Sequence, residues 1–134
     1  MLTDLAFSER LLNLLKLKTE LLPQEVELVK LGRHFAVGEA VVVVGRNHQE
    51  NIKISAIAKE LGLPTLEVGG AMGPTTAIWG KAAKTVTRDA ALLTARYSDA
   101  PKGQNCHVSV TSGKNVEKLQ VIAPQDNAFL QKKR

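Results

Sequence analysis

The sequence predicts an α+β domain, with a mixed or antiparallel sheet and about three helices lying on one face of it. Two patterns point there. Stretches with apolar residues at helical spacing are interspersed with short β-branched runs, and the chain closes on two strand-like segments joined by hairpin residues rather than repeating a strand–helix unit. The size agrees: 134 residues, 44% of them hydrophobic, suffice for one domain with its own core.

Thr3-Asp4 reads as the first helix start, a hydroxyl cap followed by a carboxylate near the positive end of the helix dipole. Phe7, Leu11, Leu14 and Leu15 continue it as an amphipathic helix that Pro23 closes. Val26, Leu28 and Val29 open an extended stretch that runs through Gly32-Arg33-His34-Phe35. Residues 41–44 are four valines between glycines, a strand buried on both faces. Gly45-Arg46-Asn47 turns this strand into a second helix, with Ile54, Ile57, Ala58 and Leu61 on one face and Gly62 and Pro64 at its end.

Residues 65–68 form a short strand, the glycine-rich segment 69–74 a loop, and residues 76–79 the returning antiparallel partner. The alanine- and leucine-rich segment from Asp89 to Tyr97 is a third helix, with Arg96 near its negative end. Segments 107–111 and 116–122 are the last strands, joined by Ser112-Gly113-Lys114-Asn115. Internal repeats and low-complexity segments are lacking.

Composition narrows the function. Lys+Arg number 18 against 13 Asp+Glu, a net charge of +5, and the excess is uneven: residues 1–31 carry −1, residues 32–111 carry +3 and residues 112–134 carry +3. Such a balance permits polyanion binding without demanding it. The single cysteine, Cys106, excludes an intramolecular disulfide and a multi-cysteine zinc site, and fits a reducing cytoplasm. The longest apolar run, residues 40–44, is far below the ~20 residues a membrane-spanning helix needs. Five aromatic residues are too few for a base-stacking platform, and Trp79 and Phe35 are read as core.

The strongest local motif is residues 41–51, in which a strand, a glycine and a helix start can turn backbone N–H groups and Arg46 towards an anion. Asn47 and Glu50 have the capping-box spacing, so their favoured role is structural; Arg46 and Asn51 have no such explanation at this level. The 69–74 loop fails as a phosphate loop, because Gly73 and Gly80 have six residues between them and Ala82 follows Lys81. His34, His48 and His107 lack metal-ligand spacing, so no metal site or cofactor is expected. Strand alternation puts Cys106 and His107 on opposite faces, which argues against a thiolate–imidazole pair and for Cys106 as a core residue.

Several segments together resemble a known family. Leu2-Thr3-Asp4, Phe7-Ser8, Arg10-Leu11, Leu31-Gly32-Arg33-His34-Phe35, Val44-Gly45-Arg46-Asn47, Glu50-Asn51 and Gly73-Pro74 resemble the C-terminal region of bacterial PP-loop proteins. Those are relatives of tRNA-thiolating enzymes, often labelled (methylaminomethyl-thiouridylate) methyltransferases. That region looks like an NFACT-R-type RNA-binding domain, and Asp89-Ala90-Ala91, Ala95-Arg96-Tyr97-Ser98, Val108 and Val116-Glu117-Lys118 resemble its helix and closing hairpin.

The PP-loop signature Ser-Gly-Gly-x-Asp-Ser and a cysteine pair for sulfur relay are both missing from the sequence. The resemblance therefore implies a non-catalytic module, either an excised C-terminal domain or a stand-alone chain, that binds RNA, in particular tRNA, beside a PP-loop ATP-dependent domain or partner. It divides the chain into an N-terminal helix and linker at 1–24, an RNA-binding domain at 25–125 and a basic tail at 126–134. Arg33 and Arg46, each following a glycine, are the first candidates for phosphate contact, with His34, Asn47 and Asn51 beside them. Lys81, Lys84 and Arg88, flanking the third helix, are secondary candidates. Two other readings stand next to this one. One is a small transferase or hydrolase using His34, His48 or Cys106; the other is a protein-docking module whose leucine-rich first helix binds a catalytic domain or a second copy of the chain.

Overall fold

Four consecutive valines sit comfortably in a strand only where both of its faces are dry, and this requirement organises the molecule. The computed structural model describes residues 23–28 and 30–131; the expected amphipathic helix before Pro23 and the terminal Lys132-Lys133-Arg134 lie outside the described residues. The elements are α1 (Pro23–Leu28), β1 (Arg33–Val37), β2 (Ala40–Val44), α2 (His48–Leu61), β3 (Thr65–Val68), β4 (Thr76–Gly80), α3 (Lys84–Arg96), β5 (Asn105–Ser112), β6 (Asn115–Ile122) and α4 (Ala128–Gln131). Six strands form one sheet in the order β1-β2-β4-β3-β5-β6, with every neighbouring pair antiparallel. The fold is thus α+β with an antiparallel sheet.

All four valines of β2 are fully buried. Val42 and Val44 join Ile78, Leu66 and Val108 under Ala90, Ala91 and Leu93 of α3. Val41 and Val43 join Ala77 and Trp79 on the opposite face, under Leu28 of α1 and Ile54 and Ala58 of α2. The helices therefore cover both faces of the sheet, not one as the sequence reading had it. A strand dry on both sides, as residues 41–44 are, needs a cover on both.

Two element boundaries also differ. Residues 26 and 28 lie in α1 rather than in an extended stretch, and Pro23 opens this helix, where a missing N–H costs nothing. Glu25 is buried in α1, and its carboxylate accepts a hydrogen bond from the Trp79 indole N–H at 2.7 Å, which fixes that ring in the core. Helix α3 begins at Lys84, five residues before Asp89, so Lys84 and Arg88 lie within it. The β-branched run Thr85-Val86-Thr87 disfavours helix locally, yet Val86 is buried in the core and packing prevails.

Inside, Thr94 of α3 lies against the sheet, its hydroxyl 2.8 Å from that of Thr76 and 2.7 Å from the Ala90 carbonyl. Lys102 folds over the end of α3 and donates to the carbonyls of Ser98 and Ala100 at 2.7 and 2.9 Å. Cys106 is buried and His107 exposed, as alternation along β5 requires. Phe129 and Leu130 of α4 pack on the α3 side of the core. Among the described residues no helix is long and apolar enough to cross a membrane.

Candidate functional site

The pairing of Arg33 with Val44 brings the start of β1 beside the end of β2, so Gly32 and Gly45, thirteen residues apart in sequence, meet at one end of the sheet. Glu50 in the first turn of α2 joins them. Its carboxylate accepts from the Arg46 backbone N–H at 2.9 Å and from the Arg46 guanidinium at 3.0 and 2.7 Å. The Arg46 guanidinium, and after it the backbone N–H groups of Arg46 and Gly32, hold the Glu50 carboxyl down to about 2 against the opposing effect of burial. Asn47 caps the helix by accepting from the Glu50 N–H at 2.9 Å.

Asn51 completes the joint. Its side-chain oxygen accepts from the Thr75 N–H at 3.0 Å, while the Gly45 N–H donates to the Thr75 carbonyl at 3.0 Å. A Cβ at Gly45 would collide with the Asn51 side chain, so glycine is what lets α2 hold the start of β4. Every residue of the Gly45-Arg46-Asn47 and Glu50-Asn51 motif thus has a structural partner. Arg46 and Asn51, unexplained from sequence, are explained here by Glu50 and Thr75.

Above this joint lies an open groove of about 740 Å³, within the ~300–1,000 Å³ of typical ligand sites. One wall is α2 and the turn leading into it, with Arg46, Asn47, His48, Asn51, Ile52 and Lys59; the other is the segment from the end of β3 at Val68 to Thr75, carrying Ala71 and Met72. Arg33 and Tyr97 close one side. The lining side chains include three permanent cations, Arg33, Arg46 and Lys59, against one carboxylate, Glu67, which accepts from the Thr75 hydroxyl at 2.9 Å.

Tyr97 follows the last residue of α3, and two guanidiniums lie against its ring: Arg33 at 4.5 Å and Arg96 at 4.6 Å from the centroid. Asn127 donates to its hydroxyl at 3.2 Å, and Phe35 packs 6.0 Å away. Neither arginine has a carboxylate partner among the described residues. Two uncompensated cations on one aromatic ring at the edge of a groove favour an incoming anion.

The candidate residues separate into two places. Arg33, Arg46, Asn47 and Asn51 line the groove. His34 is half-buried beside it; burial lowers its pKa from 6.5, opposed chiefly by a hydrogen bond to the Leu28 backbone. Lys84 and Arg88 lie at the other end of α3, with Lys84 roughly 20 Å along the helix from Tyr97. Lys81 is near them, 3.8 Å from Glu39. Burial raises the Cys106 thiol, leaving it poorly nucleophilic at neutral pH. No cluster of three or more His, Cys, Asp or Glu suited to a metal occurs among the described residues.

Tyr97, Arg96, Ile52, Lys59 and Met72 were not singled out as binding residues from sequence. Arg33 and Tyr97 are 64 positions apart, and no local pattern announces that they touch.

Comparison with solved structures finds the C-terminal part of the fibronectin/fibrinogen-binding protein from Streptococcus suis, with a TM-score of 0.63 at 19% identity. The match covers 76% of this chain and 48% of that one, so the chain spans about half the length of this relative; the likeness is one of fold. Comparison with curated proteins returns no match. The family model described as the NFACT protein RNA binding domain matches residues 32–132, which include the whole sheet, the groove and both of its arginine motifs. The chain therefore belongs to the NFACT-type RNA-binding domain family.

Proposed function

We propose that this chain is a non-catalytic module that binds tRNA in the groove between α2 and the β3–β4 loop, and presents it to a PP-loop ATP-dependent domain or protein carrying out thiolation-type modification in the cytoplasm. The observation that carries the binding site is the cationic rim: Arg33 and Lys59 line one groove with no ion-pair partner among the described residues, Arg46 lines it paired with Glu50, and Arg96 adds a fourth cation against Tyr97. The assignment to an RNA-binding family supports a polyanionic ligand there. The tRNA and its PP-loop partner rest on the resemblance of the Gly32-Arg33-His34-Phe35 and Gly45-Arg46-Asn47 segments to the C-terminal region of such proteins.

In this reading residues 25–125 are the RNA-binding unit, residues 1–24 its connection to the catalytic partner or a second copy, and residues 126–134 a basic tail whose Asn127, Phe129 and Leu130 pack back onto that unit. Arg33 outranks Arg46 as a phosphate ligand. Arg46 must leave or share Glu50 to reach a phosphate, whereas Arg33 is exposed and opposed by no carboxylate among the described residues. Lys81, Lys84 and Arg88 become a second, outlying contact that only a ligand as large as tRNA could reach together with the groove.

The test is tRNA affinity measured across a salt series for the wild type and for Arg33→Ala and Arg46→Ala. Each lost phosphate contact lowers the slope of log K against log salt by about 1. Arg33→Ala is expected to weaken binding and flatten the slope by that amount, with a smaller effect for Arg46→Ala. Absence of tRNA binding at low salt would remove the proposal.

A further inference from the structure

The groove has a property that phosphate contacts do not require. Of the four large hydrophobic residues standing exposed among the described residues, two line it: Ile52 at 56% and Met72 at 78% relative exposure. They come from opposite walls, Ile52 from α2 and Met72 from the glycine-rich loop, whose Val68 and Ala71 line the groove beside Met72 while Tyr97 closes one side. A surface meant only for the backbone of a paired helix would gain nothing from apolar side chains there, because duplex phosphates meet cations and hydroxyls while the base faces stay stacked inside. An unpaired base offers the opposite: a flat apolar face with a phosphate on either side of it.

We infer that the groove receives an unpaired nucleobase between Met72 and Ile52, stacked on the Arg33–Tyr97 pair, so that the domain selects single-stranded or flipped-out RNA over perfect duplex. This deepens the proposed RNA-binding function and rests on it. Arg33, exposed and seated on Tyr97, gives the base a guanidinium plane to stack on, and that same charge lies close to the adjoining phosphate. Lys59 and Arg46 on the α2 wall take the flanking phosphates. The 4% aromatic content is no obstacle to such a site, since one ring backed by guanidiniums serves one base.

The experiment compares a 12-nucleotide single-stranded RNA containing 2-aminopurine with the same sequence in a blunt duplex, at matched salt, for wild type, Met72→Ser, Ile52→Ser and Arg33→Lys. Both apolar positions are exposed, so their replacement leaves folding alone, and Arg33→Lys keeps the charge but loses the planar group. The wild type is expected to bind the single strand at least about fivefold more tightly, with a change in 2-aminopurine fluorescence. Met72→Ser and Ile52→Ser should lose most of that preference while their duplex affinity stays put, and Arg33→Lys should lose the preference as well. Equal affinity for the two forms, or variants that weaken both alike, overturns the inference and leaves RNA binding standing. If neither RNA binds, the inference falls together with the function it rests on.

Discussion

At the scale of single residues, the organising group is Glu50. It holds Arg46 through two guanidinium contacts and receives the backbone N–H groups of Arg46 and Gly32, so one carboxylate ties β1, the end of β2 and the start of α2 together. A carboxyl held at about 2, below the ordinary 4.5, stabilises the fold fully above roughly pH 4.5 and loses that contribution as the pH falls towards 2. Glu50→Gln is therefore expected to lower unfolding free energy at pH 7 by about 1 kcal/mol. The gap from wild type should close progressively below pH 4.5. Urea titrations followed by circular dichroism at a series of pH values check both the size and the direction.

The same residues show what a sequence can disclose. Asn47 and Glu50 were legible as a cap because the contact spans three positions and follows from helix geometry. The partners of Arg46 and Asn51 were not. Arg46 bonds one turn ahead, outside the usual capping pattern, and Asn51 bonds to Thr75, 24 positions away.

At the scale of elements, α3 determines where the groove ends, because Tyr97 leaves its last turn. Thr94, one turn earlier, fixes the helix on the sheet through the buried Thr76 hydroxyl. Since Thr94 donates its one proton to the Ala90 carbonyl, it accepts from Thr76. Thr94→Val strands the Thr76 hydroxyl in an apolar layer and is expected to cost about 1–3 kcal/mol. Adding Thr76→Val removes the orphaned group, so the double variant should be destabilised by less than the two single variants combined. A double-mutant cycle in urea measures the coupling.

Strand β2 and helix α2 were plain in the sequence, since β-branched runs, apolar periodicity and flanking glycines are local signals. The start of α3 was not, because Ala83 offers no capping side chain and only the burial of Val86 justifies a helix there.

At the scale of the whole molecule, part of the basic charge acquires a location. Lys102 closes the end of α3, Lys81 lies near Glu39 and Arg46 is held by Glu50, whereas Arg33, Arg96 and Lys59 have no ion-pair partner among the described residues. These last three gather at the end of the sheet where β1 begins, β3 leaves and α3 stops, which is where the apolar groove also opens. Basic composition alone gave permission for a polyanion; Lys53, Lys84, Arg88, Lys114 and Lys118 also lack an ion pair among the described residues but lie outside the groove. The meeting of Arg33, Arg96 and Lys59 near it depends on contacts between residues far apart in sequence, such as Arg33 with Tyr97.

An amide-resolved NMR titration of the isotopically labelled chain with unmodified tRNA tests this location most directly. Shifts should concentrate on Arg33, residues 45–59, residues 68–75 and Tyr97. A shift pattern centred on residues 81–88, or on the β5–β6 hairpin around Lys114 and Lys118, with the groove unchanged, would contradict the account.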